Sequence, residues 1–203
     1  MKKNNVLSLT LIAVFTALIL IQSYVPQFGY ITVIPGLPAI TTVVLTVSIA
    51  GAVLGPRMGA IIGLIWGVIA FIMAYTQPGS PVSLLLFQNP FIAIVPRILT
   101  GLVSGYAVVL LNKFNTNQFI SYGVAGLLGA LVNTLGVIVI AALVFMNNPE
   151  ALTQYLGNTQ SSQSLFFILL AVLGVNAVTE AGVSLVVTSV VGRALSKAFG
   201  AIK

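Results

Sequence analysis

Few side chains in this sequence can do chemistry, and they fall in three apolar stretches. Arg97 stands inside "NPFIAIVPRILTGL", residues 89 to 102, where a charge at bilayer depth costs at least about 2.5 to 3.5 kcal/mol and so is either paired or functional. Asn133 is the single amide of "VAGLLGALVNTLG", and "VNAVTEAGVSLVVT" sets Asn176, Glu180, Ser184 and Thr188 at successive intervals of four. Such a stripe faces protein or water, not lipid. A guanidinium grips a carboxylate or phosphate with two parallel hydrogen bonds, and amides read neighbouring hydroxyl or amide groups. The chemistry these residue types offer is recognition of a small anion carrying polar groups.

Composition excludes most alternatives. Of 203 residues, 59% are hydrophobic and 5% charged, against roughly 25% charged in a soluble domain. This is the composition of an integral membrane protein. The chain has no Cys, His or Asp, and its only acids are Glu150 and Glu180, so thiolate chemistry, zinc sites, triads and carboxylate clusters lack their components. No P-loop occurs, so no nucleotide site of that type is present. No catalytic residue, metal ligand or cofactor is expected. The net charge of +6 comes from scattered basic residues, not from a nucleic-acid patch.

The elements that must position these residues are hydrophobic runs bounded by Pro, Gly, Asn and charge, near residues 6 to 24, 37 to 54, 58 to 75, 90 to 111, 119 to 146 and 165 to 190. The fold class expected is an all-α bundle of six transmembrane helices forming one domain over residues 1 to 203. The apolar start "MKKNNVLSLTLIAVFTALILIQSY" is long enough to span and is read as the first helix, not a cleaved leader. Alternating the spans from a cytoplasmic N terminus places Lys2, Lys3, Arg57, Lys113, Arg193, Lys197 and Lys203 inside, which satisfies the positive-inside rule for every basic residue except Arg97. The expected location is the cell membrane with both termini cytoplasmic.

The external connections carry the unusual composition. Residues 25 to 38, "VPQFGYITVIPGLP", are apolar yet broken by three prolines and two glycines, as a loop folded over the bundle mouth would be. Residues 76 to 89 are again apolar between breakers, with Asn89 and Pro90 as N-cap and first helical position. Asn89, at this external end, is also a candidate substrate contact. Residues 147 to 164 are long, polar and expected to be mobile. On the helices, Gly59, Gly63 and Gly67 share a face, as do Ala13 and Ala17. Small residues at that spacing let helices approach closely, within this bundle or against another subunit.

Depth along each helix orders the polar residues. Arg97 lies about seven residues below Pro90, or about 10 Å at 1.5 Å per residue, on the face of Gly101 and Gly105. Counting inward from Leu165 puts Asn176 about 17 Å deep and Glu180 about 22 Å. Two readings stand. Arg97 and Glu180 form a buried ion pair holding helices in register, or Arg97 grips a ligand carboxylate while Asn133 and Asn176 read its neighbours. For the two asparagines, interhelical hydrogen bonding weighs as much as ligand contact.

At these residues the sequence resembles the S components, the substrate-binding membrane subunits of energy-coupling factor (ECF) vitamin transporters. The likeness covers nearly the whole chain and rests on six short-looped helices, on Ala13 and Ala17 matching an AxxxA motif, and on "LGPRMGAIIGLIWG" and "NPFIAIVPRILTGL". The last two segments look most like the pantothenate-specific branch. The resemblance implies a protein without enzymatic activity that binds one vitamin from outside and docks on a T component carrying two cytoplasmic ATPases. It implies that Ala13 and Ala17 face the T component, and that the pocket lies near the external side among spans 4, 5 and 6 with the first loop, where Arg97, Asn133 and Asn176 stand; Asn89 and Glu180 are further candidate substrate contacts. Glu180 is the departure, since a carboxylate repels an anion unless protonated or paired. The rival readings are a self-sufficient proton-coupled permease with Glu180 as proton carrier, or an S component for another micronutrient.

Overall fold

The computed structural model describes residues 3–31, 40–77, 81–146 and 165–200. Among them are eight helices: α1 (Lys3–Tyr24), α2 (Pro26–Gly29), α3 (Thr42–Leu54), α4 (Pro56–Thr76), α5 (Pro81–Phe87), α6 (Pro90–Lys113), α7 (Gln118–Val144) and α8 (Leu165–Gly200). Between α2 and α3, β1 (Tyr30–Ile31) pairs antiparallel with β2 (Ile40–Thr41), Tyr30 opposite Thr41.

Local chemistry sets the breaks. Gly55, at φ 95°, turns the chain between α3 and α4 in a single residue, and Pro56 follows at the first turn of α4. The conformation suits a residue without Cβ. Asn117 Oδ1 accepts from Phe119 N at 2.9 Å to open α7, after Asn115 at φ 52° has reversed the chain. The expected cap of α6 is present: Asn89 Oδ1 accepts from Phe91 N at 3.0 Å and Ile92 N at 3.4 Å, with Pro90 next.

Five helices, α1, α4, α6, α7 and α8, are long and apolar enough to cross a membrane. The second expected span differs. It begins at Thr42, not near residue 37, and its 13 residues reach only about 20 Å, short of a hydrocarbon core of about 30 Å. The reason is visible in the chain before it, where Ile40–Thr41 is spent on the β pair instead of another helical turn. From Thr42 to Ala52 every residue of α3 is buried, so this short helix is the centre of the bundle, touching α1, α4, α6, α7 and α8. Around it Phe15, Ile19, Val44, Val47, Ile62 and Trp66 form the main core. The polar connection 147–164 lies outside the described residues.

The glycine stripe of α4 packs within the bundle. A Cβ on Gly59 would strike the carbonyl of Gly101, one on Gly63 the carbonyl of Arg97, and one on Gly67 the backbone of Ile94. Gly105 meets Pro56 in the same way. The paired numbers run in opposite senses, so α4 and α6 are antiparallel and their backbones touch. Pro96 against Gly136 and Ser104 against Ala125 and Gly129 show the same for α6 and α7. Gly126 against Ser184 and Thr188, with Tyr122 against Gly192, extends it to α8. Alternation therefore gathers Arg57, Lys113, Arg193 and Lys197 at one end of the bundle, with Arg97 towards the other.

Candidate substrate site

Arg97 owes its position to the proline before it. Pro96 sits inside α6 and has no N–H, so the carbonyl of Ile92, four residues back, loses its helical donor. Arg97 Nη1 takes that oxygen at 2.7 Å. The bond draws the side chain back along the helix towards the external end, the direction helical side chains favour. The guanidinium then lies 4.4 Å from the ring centre of Phe87 on α5 and 5.2 Å from that of Trp66 on α4. Within about 6 Å a cation gains from the negative face of such rings, most when water is excluded. Arg97 is 4% exposed.

Phe87 is held in place by its neighbour. Gln88 donates through Nε2 to Ala74 O at 3.1 Å, and the Tyr75 hydroxyl donates to Gln88 O at 3.2 Å, so the α5–α6 junction is tied to the end of α4. Leu86 and Ile92 continue the seal against Val137, Ile138 and Ala141 of α7. Pro96, Trp66 and Phe87 are not among the residues that the sequence alone singles out. The first is legible there all the same, because a proline four residues after a helical carbonyl always removes its donor.

The helix registers bring the other polar residues to the same level. Pro96 faces Gly136 while Ser104 faces Gly129, which places Asn133 across from residues 98 to 100 of α6. Gly126 faces Ser184 and Thr188, which places Asn133 near residues 178 to 180 of α8, with Asn176 a further turn out. The spread between Arg97 and Glu180 shrinks to about one helical turn, roughly 5 Å. Counting from Leu165 overstates it, because α8 has 36 residues and is about 54 Å long, well beyond a bilayer's apolar thickness. The side chain of Asn176 lies outside the described ones.

Each of these groups has a distinct environment. Asn133 is 8% exposed and its Oδ1 accepts no hydrogen bond among the described residues, an omission that costs about 1 to 3 kcal/mol unless another group fills it. Thr100, beside it in level, donates to Pro96 O at 2.8 Å and is satisfied. Glu180, 2% exposed, accepts the backbone N–H of Thr41 at 2.9 Å through Oε1. Asn89 places its Oδ1 on the α6 cap. Ala13 and Ala17 lie on an exposed face of α1 shared with Leu9, Val14, Leu18 and Ile21.

Helices long and apolar enough to cross a membrane make this a multi-pass membrane bundle, with a buried cation and, among the described residues, an unpartnered amide oxygen at one level. The family described as ECF transporter, substrate-specific component, matches residues 7–192, and the chain belongs to that family. It is also similar to the protein named "Pantothenate transporter PanT" from Leuconostoc mesenteroides subsp. mesenteroides, at 34% identity over 203 aligned positions covering 96% of this chain and 95% of the relative. The resemblance seen in the sequence is therefore established at the level of the family, and the protein is a multi-pass membrane transport protein rather than an enzyme.

Proposed function

We propose that this protein is the pantothenate-binding S component of an ECF importer, taking its substrate from outside and passing it inward after docking on a T component with two ATPases. The observation that carries the reading is the seating of Arg97: a buried guanidinium held by Ile92 O, Phe87 and Trp66, at the level of an Asn133 oxygen with no partner among the described residues. Pantothenate presents a carboxylate, an amide and hydroxyls. Arg97 takes the carboxylate, Asn133 accepts from the amide or a hydroxyl, and Asn176 serves the same polar groups from a turn further out. Asn89 contributes by fixing the start of α6. The name of the similar protein supports this choice of vitamin.

In this reading the whole chain is one membrane domain, and α3 completes six crossing elements with the β pair beneath the outer surface. Both termini are cytoplasmic, because the basic end of the bundle belongs inside. Ala13 and Ala17 form the docking face, a role their exposure on α1 supports. The test is calorimetric titration of the purified subunit with pantothenate. Arg97→Ala should weaken binding at least 100-fold, or about 2.7 kcal/mol, and Arg97→Lys should recover little of it, since an ammonium lacks the planar fork. Unchanged affinity in Arg97→Ala would remove Arg97 from the site.

A further inference from the structure

The carboxylate of Glu180 meets the backbone of Thr41, and Thr41 is the N-cap of α3. The first turn of a helix leaves N–H groups without intrahelical partners and carries partial positive charge. Thr41's own side chain makes no cap hydrogen bond, and α3 has no acidic residue in its first turn. Glu180, 139 positions away, supplies the negative acceptor that the local sequence lacks. The same corner is fastened from the other side. Thr42 Oγ1 donates to Phe28 O at 2.6 Å, Thr46 Oγ1 to Gln22 Oε1 at 2.9 Å, and Gly29 packs on the carbonyl of Gln22 with no room for a Cβ.

We infer that Glu180 is a positioning residue: its carboxylate caps α3 from α8 and fixes the α3 N-terminus and the β1–β2 pair at the level of the substrate site. One carboxylate oxygen accepts from the N–H that opens α3, a role that calls for neither a grip on substrate nor proton transfer. The hydrogen bond, not the ability to ionise, is then what matters most, and glutamine can still provide an acceptor. The inference rests on the proposed function only where pantothenate is the probe; its structural arm is read without ligand.

The experiment compares Glu180→Gln, Glu180→Ala and Thr41→Pro in nanodiscs, by amide hydrogen exchange without substrate and by pantothenate titration. Thr41→Pro deletes the donor while leaving the carboxylate, and the φ of Thr41, −84°, is within about 20° of the value proline prefers. Exchange across residues 40 to 43 should rise at least tenfold in Glu180→Ala and stay within about threefold of the parent in Glu180→Gln. Pantothenate affinity should fall at least tenfold in Glu180→Ala and in Thr41→Pro, with Glu180→Gln within about fivefold of the parent. Glu180→Gln as weak as Glu180→Ala would overturn the inference, because the charge itself would then be required. So would unaltered exchange at residues 40 to 43 in Glu180→Ala. If the parent protein binds no pantothenate, the proposed substrate fails while the exchange arm still decides the role of Glu180.

Discussion

Arg97 Nη1 donates to the carbonyl oxygen of Ile92 across 2.7 Å, and Pro96 is the reason that oxygen is available. A proline in a helix interior costs about 3 kcal/mol or more, so it is an expensive way to free one carbonyl. Under the proposed function, the return is a guanidinium anchored before the ligand arrives, with less rotamer entropy to lose on binding.

Pro96→Ala should separate stability from recognition. Alanine restores an N–H that competes for Ile92 O, and it suits a helix better than proline, so the thermal midpoint should rise by a few degrees. Pantothenate affinity should fall about threefold to tenfold, because the side chain regains freedom worth on the order of 1 kcal/mol. Calorimetry and thermal unfolding of the same preparation read both numbers. Affinity equal to the parent's would show that the Ile92 bond plays no role in preparing Arg97.

The aromatic pair around Arg97 offers a second measurement. Removing one ring by Phe87→Ala deletes a desolvated cation–π contact of about 0.5 to 2 kcal/mol, so affinity should drop about threefold to thirtyfold. Trp66 is the only tryptophan in the chain and lies 5.2 Å from the guanidinium. Its emission should change when pantothenate binds, in the parent and in Phe87→Ala, but not in Arg97→Ala. A saturable change that persists in Arg97→Ala would place the ligand elsewhere.

What the sequence makes legible are features whose cause is local. The Asn89 cap, five of the spans and the stripe of Gly59, Gly63 and Gly67 follow from composition and a period of four, and each is present. Arg97 is conspicuous by cost alone. Its cage is not legible, because Trp66 and Phe87 reach it from other helices and their types are ordinary in an apolar core. The link from Thr41 to Glu180 is hidden for the same reason, with 139 residues between its ends. The depth of Glu180 goes astray because the hydrophobic run of α8 does not end where the membrane does. The start of α3 is misplaced because residues apolar enough to span are used in a β pair.

Ala13 and Ala17 test whether the exposed face of α1 meets lipid or protein. Both are exposed among the described residues, and surface changes of this kind usually move stability by less than about 0.5 kcal/mol. Against lipid a leucine is as acceptable as an alanine. Against a partner helix in close contact it is not, since small residues are what allow backbones to approach. The double variant Ala13→Leu, Ala17→Leu should therefore bind pantothenate with parental affinity and lose at least tenfold in ATP-dependent uptake when co-produced with a T component and ATPases. Val178→Leu, at an exposed position on α8, serves as the control and should leave uptake unchanged. Full uptake by the double variant would assign this face to lipid and move the docking surface to another helix.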